Sequence, residues 1–572
     1  MRSQFIKRIH ILFSFIFLLA LILVGNLYFI QIIHGEAYSH KADRQYVKPN
    51  ENFYDRGFIY LEDKDGRRIS GATIKSGFTV AINPRILENP EDVYEKIIPV
   101  LPSIDAETFF LRAGKDDPYE EIAKRVDEKT AMNIDALDID GLNIYKSKWR
   151  YYPGDRMASH SLGFIGYRGD ELGGRYGLER YYEDVLGRGE NSVYVNFFAE
   201  IFANLNKTLF VTPSKRSGNI ITTIEPSVQI FLENILQQTQ EEWSSRQTAG
   251  VIIDPSTGEI YALGVYPNFN VNTFKDEGSS AIFSNPLVEN VFEMGSIMKP
   301  LTMAAALDVN AVTADTTYYD NGSVTLNGST ISNFDKRGRG KTTMQGVLNE
   351  SLNTGVVYAV GEMGNDIFRD YVLAYGLGEE TGIDLPNESA GLVENIYSPR
   401  DIEYATASFG QGIAVTPMSM VRALSSLANG GELVTPHLVS KIQYTSGVTK
   451  NIEWDKDEKE RVLKKETADE ITRMLVHVVD NALLGGTVMK PRYSIATKTG
   501  TAQIAQSGAR GYYDDRFFHS FFGYFPAYDA KFLVFLFTLE PKEVRYASRT
   551  LTKPFMDIAT FLINYYEIPP DR

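Results

Sequence analysis

Apolar and polar positions fall into blocks along this chain, and the blocks divide it. From Ile9 to Ile33 there is no Lys, Arg, Asp or Glu, and the densest apolar part is Ile11 to Val24. At about 1.5 Å of rise per residue, such a run is long enough to span a bilayer core. Arg2, Lys7 and Arg8 stand before it, which predicts a cytoplasmic N-terminus. A cleaved signal peptide is the rival reading, but its apolar run is typically shorter than this one. The pattern therefore predicts a short tail over residues 1–8 and an uncleaved single-pass anchor over residues 9–33. Everything beyond would then lie outside the cytoplasm.

Residues 34–215 read as a mixed, strand-rich region punctuated by Gly/Asp turns, with one helical stretch near Pro90–Val100. Thr212 to Gly218 reads as a linker. A strand follows at Asn219–Thr223. A helix then runs from Pro226 to about Arg246, with Pro226 suited to its first turn and Val228, Ile230, Phe231, Ile235 and Leu236 on its apolar positions. Val251–Ile253 and Tyr261–Leu263 form a hairpin around Pro255-Ser256-Thr257-Gly258. A helical core begins at Ser296. Strands return at Tyr493–Gln503, His519–Phe525 and Lys531–Thr538, and a last helix starts near Lys553. The unbroken apolar run Phe532–Leu539 is too short for a second membrane span and reads as a buried strand. Strands, helices and strands again predict an α/β sandwich built on an antiparallel sheet. The stretch Ser507–Asp515 reads as a mobile hairpin loop, with Tyr512 and Tyr513 either touching a substrate or capping the loop.

Composition narrows the function. The 572 residues suffice for two to four domains, and 43% hydrophobic content supports packed cores. A formal charge of −15 argues against nucleic acid as a partner. There is no cysteine, hence no disulfide framework, metal–thiolate site or thiol nucleophile.

Three short words carry the chemistry. They are Ser296-Ile297-Met298-Lys299, Ser351-Leu352-Asn353 and Lys498-Thr499-Gly500-Thr501, in that order. A serine hydroxyl needs a base to become a nucleophile. On a helix, Ser296 and Lys299 share one face. Pro300 places them at a helix start, where backbone N–H groups favour developing negative charge. The apolar run Leu301–Leu307 predicts a buried helix. Burial would lower the Lys299 pKa and free its amine as the base. Ser351 is read as a proton relay to the leaving amine, and Asn353 as a partner for a substrate amide. Lys498 is read as favouring a carboxylate or keeping Lys299 neutral. Thr499, Gly500 and Thr501 form a strand edge for substrate, with Gly500 allowing close approach. The backbone N–H groups of Ser296 and Thr501 are the expected oxyanion hole. A second S-x-N match, Ser217-Gly218-Asn219, falls in the linker.

With these words the chain resembles a class B penicillin-binding protein, and the resemblance covers nearly all of it. Phe292-Glu293-Met294-Gly295-Ser296 continuing to Thr302 is similar to the family's F-E-P-G-S-x-x-K-P-x-T, with Met294 in place of proline. Asp254–Ala262, Gly410–Pro417, Ala428–Gly431 and Lys498–Gln503 match further family stretches. Asp55–Tyr60, Tyr152–Gly154, Leu162–Gly166 and Gly177–Tyr182 resemble the pedestal motifs, with Arg56 and Glu179 either paired or separately solvated. The resemblance implies a pedestal (dimerisation) domain over 34–215. It also implies a transpeptidase domain over 216–572, an antiparallel sheet with helices on both sides, like the serine β-lactamases.

The implied activity is D,D-transpeptidation. Ser296 attacks the penultimate D-Ala of a stem peptide ending in D-Ala–D-Ala, terminal D-Ala leaves, and a neighbouring amine takes the acyl group. β-Lactams would be inhibitors, and no metal or organic cofactor is required. Implied partners are the membrane, through one helix, and a polytopic SEDS-type glycosyltransferase with other divisome proteins. Phe292-Glu293 before Gly295-Ser296 leans towards septal synthesis at division. An elongation-type enzyme and a mainly structural scaffold are the alternatives. A secreted β-lactamase would lack the pedestal, and a penicillin-sensing receptor would carry several spans.

Overall fold

The computed structural model describes residues 17–19, 23, 56–168, 171–187, 217–454, 460–506, 508 and 511–572. The predicted anchor over 9–33 lies outside them, apart from Phe17–Leu19 and Leu23, which are helical and exposed. Among the described residues no helix is long and apolar enough to cross a membrane. The tail and most of the predicted linker also lie outside. So do Ser507, Ala509 and Arg510 of the predicted hairpin loop.

The chain divides into two compact units. One contains Ile74–Trp149, and the other Asp55–Thr73 with Arg150–Arg572. The strands β1 (Ile59–Glu62) and β2 (Arg68–Ile82) open the described fold. Next come α1 (Pro90–Ile97), α2 (Ala106–Ala113), β3 (Glu120–Val126), α3 (Glu128–Asp135) and β4 (Leu142–Tyr151). The smaller unit has its own core, in which Val80, Ile82, Val93, Ile97, Phe109, Val126 and Ile134 pack together. It is more helical than its sequence suggested. Asp105 and Asp127 cap α2 and α3 by accepting from the backbone N–H groups of Thr108 and Thr130. That N-cap signal outweighed the turn-like composition around it.

In the larger unit, β5 (Gly218–Thr222) pairs parallel to β1. The strand predicted from Asn219 thus begins one residue earlier, at Gly218, which had read as linker, and Asn219 Oδ1 accepts from Phe58 N at 2.8 Å. The predicted helix is α4 (Pro226–Trp243), followed by the hairpin β6 (Gln247–Ile253) and β7 (Ile260–Tyr266). A helical region follows, which includes α5 (Lys299–Asp308), α6 (Met344–Glu350), α7 (Asn353–Met363) and α8 (Pro417–Ala428). Strands β8 (Val439–Tyr444) and β9 (Thr449–Asn451) join β5, and α9 spans Lys465–His477. The chain closes with β10 (Ala496–Ala505), β11 (Tyr512–Phe525), β12 (Phe532–Leu539) and α10 (Thr552–Tyr565).

These last strands and the early hairpin form one five-stranded antiparallel sheet in the order β10-β11-β12-β6-β7. The β12 sequence shows how it is packed. Val534 and Leu536 join the cluster built with α4 and α10, around Leu232, Phe555 and Leu562. Leu533, Phe535 and Phe537 face the opposite way, into the cluster containing Met298, Leu301 and Leu424. Side chains alternate faces along a strand, so a strand covered on both sides reads as a continuous apolar run. The sheet thus has helices on both faces, as the resemblance implied, and β10 is left as its free edge.

Of the two alternatives for Arg56 and Glu179, the paired one is found, buried at 2.6 Å. Arg150 meets the other Glu179 oxygen at 2.6 Å, and Tyr152 donates to the same oxygen at 3.1 Å. Burial alone would lift the Glu179 pKa, but Arg150 and Arg56 hold it below the ordinary carboxylate value.

Candidate active site

Ser296 lies in a 3-10 turn, Gly295–Met298, that runs directly into α5. The turn requires Gly295, whose φ is +64° and whose N–H donates to the Gly410 carbonyl at 3.1 Å. Gly410 is required in turn, since a Cβ there would sit 2.4 Å from the Gly295 oxygen. Met294, where the family has proline, has φ −77°, a value that proline also adopts. The departure from the family motif leaves the local path intact.

Lys299 is fully buried, as the apolar helix predicted. Its Nζ donates to the Ser351 carbonyl and to Ser351 Oγ, the latter at 3.2 Å. Ser351 caps α6 in the left-handed conformation, φ 57°, which turns both its oxygens to the lysine. From the opposite wall, Lys498 on β10 donates to Ser351 Oγ at 2.9 Å and to the Thr499 carbonyl at 3.1 Å. One hydroxyl therefore joins all three words. Burial, and then the positive charge of Lys498, push the Lys299 pKa well below its ordinary value. Burial pushes Lys498 down to about 7. Among the described residues the Ser296 hydroxyl makes no hydrogen bond to a protein group. It lines a cleft of about 1450 Å³ together with Ser351, Asn353, Thr499 and Thr501.

Asn353 begins α7, and its amide donates to the Ser332 carbonyl at 2.9 Å. The next residue is tied to the same wall, with Thr354 N donating to Asn333 Oδ1 at 3.2 Å and Thr354 Oγ1 to buried Asp320 at 2.7 Å. Thr499 and Thr501 face the cleft, while Gly500 faces away from it. A Cβ at Gly500 would lie 2.2 Å from Ser520 Oγ and 2.8 Å from the Met294 carbonyl. The missing side chain thus lets β10 pack against the nucleophile turn, where the sequence had suggested room for a substrate strand. Ser520 completes that joint by donating to the Met294 carbonyl at 3.0 Å.

Several contributors escaped the sequence reading. Glu293 Oε1 accepts from Gly412 N at 2.9 Å and from the Tyr512 hydroxyl at 3.1 Å, and burial raises its pKa. Tyr512 is therefore tied to the residue three before the serine. Tyr513 instead carries the Arg516 guanidinium over its ring at 4.2 Å. Ser332, Asn333 and Asp320 carry no local motif. Only the fold brings them to α7. Among the described residues there is no group of three or more His, Asp or Glu side chains arranged to hold a metal ion.

The comparisons agree with this geometry. Residues 248–559 match the penicillin binding protein transpeptidase domain, and residues 55–222 the penicillin-binding protein dimerisation domain. The chain is 29% identical to stage V sporulation protein D of Bacillus subtilis, covering 96% of this chain and 84% of that one. It is 24% identical to the peptidoglycan D,D-transpeptidase FtsI of Escherichia coli, covering 96% and 90%. The apo crystal structure of penicillin binding protein 3 from Mycobacterium tuberculosis superposes with a TM-score of 0.65 at 25% identity, covering 74% and 92%. Two matched domains that together span most of the chain, with one hydroxyl joining all three motifs, make this chain a member of the class B penicillin-binding proteins.

Proposed function

We propose that the protein is a serine D,D-transpeptidase that cross-links peptidoglycan stem peptides, in septal wall synthesis. The observation that carries this is the Ser351 hydroxyl held between Lys299 and Lys498 beside Ser296. Two lysines with lowered pKa cannot both hold a proton easily, so one amine is available as a base. In acylation the Ser296 Oγ–carbonyl bond forms and the bond to terminal D-Ala breaks. The serine proton passes to neutral Lys299, on through Ser351, and onto the departing amine. Deacylation runs the same path in reverse, the acceptor amine giving up its proton as its new amide bond forms. Lys498, as an ammonium, favours the substrate carboxylate beside Thr499 and Thr501. Asn353 orients the substrate amide, with the Ser296 and Thr501 backbone N–H groups as the oxyanion hole.

The remaining assignments belong to the same reading. They are a tail over 1–8, a membrane anchor over 9–33, a pedestal over 34–215 and a transpeptidase domain over 216–572, placed outside the plasma membrane. The charge pattern at the N-terminus supports the anchor. The names of the FtsI relatives support the septal role. A SEDS-type glycosyltransferase and other divisome proteins are the partners that such a role would call for. The direct test is release of D-Ala and formation of cross-linked product from a D-Ala–D-Ala stem peptide, beside a Ser296→Ala variant. Product from wild type alone supports the reading, and equal product from the variant contradicts it. Co-purification with an elongation glycosyltransferase would overturn the septal role.

A further inference from the structure

Two loops meet over the cleft. One follows the strand Ser329–Ser332 and carries Phe334, and the other leaves β12 and carries Arg545 and Tyr546. The Arg545 guanidinium stands 4.7 Å from the centre of the Phe334 ring, and the Tyr546 ring meets Phe334 edge-on at 5.3 Å. All three line the cleft that holds Ser296.

Each loop is anchored to a different catalytic word. The Ser332 carbonyl accepts from Asn353, and Asn333 Oδ1 accepts from Thr354 N. Opposite, Ala547 N donates to Thr501 Oγ1 at 3.1 Å, and the His519 ring bonds the Arg545 carbonyl at 3.2 Å. Phe334 is therefore attached to the S-x-N wall, and Arg545 and Tyr546 to the K-T-G wall. Two links across the cleft are the Ser351–Lys498 bond, whose lysine is buried, and this ring cluster at the surface, where Tyr546 is 43% exposed.

We propose that Phe334, Arg545 and Tyr546 determine substrate selectivity as a clasp that must part before an extended acyl donor can lie along β10. The proposal rests on Ser296 being the nucleophile. A peptide adding to the free edge of β10 must run between Thr499–Gln503 and the Ser332–Phe334 segment. A compact acylating agent needs only the space around Ser296. Cation–ring and edge-on ring contacts at an exposed position are weak enough to open and strong enough to be felt. The opening cost falls mainly on the long donor, so the clasp filters by length.

The chain has no cysteine, which makes two introduced thiols the only ones present. The full-length protein in detergent is assayed for acylation by benzylpenicillin and for D-Ala release from a D-Ala–D-Ala pentapeptide. In Phe334→Ala and in Arg545→Ala the ratio of peptide rate to penicillin rate should rise about tenfold. A Phe334→Cys, Tyr546→Cys double variant should cross-link on oxidation and lose at least about tenfold in that ratio, with recovery on reduction. An unchanged or lower ratio in the alanine variants overturns the proposal. So does failure to cross-link, or a cross-linked protein that keeps the wild-type ratio. Penicillin labelling that survives Ser296→Ala instead overturns the underlying nucleophile assignment.

Discussion

Ser351 receives hydrogen bonds from two buried lysines, and a hydroxyl can accept two but has only one proton to give. When Lys299 is neutral, its single lone pair is free for the Ser296 proton while its N–H groups still donate to Ser351, and a continuous path joins both walls of the cleft. Lys299→Met removes the base, so penicillin acylation should fall by about 10²–10⁴-fold with folding intact, as read by labelling kinetics and circular dichroism. The pH profile follows from the two directions of shift. Acylation rises as Lys299 loses its proton, well below the ordinary lysine range, and falls as Lys498 loses its own through about 7. In Lys498→Gln the positive neighbour is gone, so the Lys299 pKa rises and the ascending limb moves to higher pH. A limb that stays put or moves lower would contradict the coupling. The lysine and serine words were legible because their chemistry depends on residue type and short spacing. The role of Gly500 was only half legible: glycine signals a close approach, and the sequence does not say whether substrate or Ser520 approaches.

Elements carry what single residues cannot. The strand β10 packs on the nucleophile turn only because Gly500 leaves room for Ser520 and the Met294 carbonyl. Gly500→Ala forces that joint apart and should cost about 1–3 kcal/mol in stability, seen as a lower Tm, together with slower acylation. In the pedestal motifs, Glu179→Ala leaves Arg56 and Arg150 buried without their shared carboxylate, a loss of about 3–5 kcal/mol in denaturant unfolding. Because the folded Glu179 pKa is lowered, its contribution is present above the unfolded value of about 4.3 and is lost as pH falls through the lower folded value. The long strands and α4 were readable from periodicity and a well-placed proline. The caps of α2 and α3 carried a signal, Asp three residues before Thr, that turn-rich surroundings masked. Gly218 looked like linker because strand identity at this end comes from pairing with distant segments, β1 and β8.

At the scale of the molecule, residues far apart in sequence share one cleft, and this is where sequence reading stops. Nothing near Phe334 or Tyr546 announces that the two rings touch, and nothing near Glu293 announces the Tyr512 hydroxyl. Both contacts exist because the antiparallel sheet returns the chain beside the turn that carries Ser296. The N-terminal pattern makes its own prediction at this scale: the full chain should sediment with membranes, and a chain lacking residues 1–33 should not. The most direct test of the whole account is intact-mass and peptide mass spectrometry after benzylpenicillin treatment. The account predicts one penicilloyl adduct, carried by the peptide containing Ser296 and absent from Ser296→Ala. An adduct on another residue, or none on the folded wild-type protein, would contradict it.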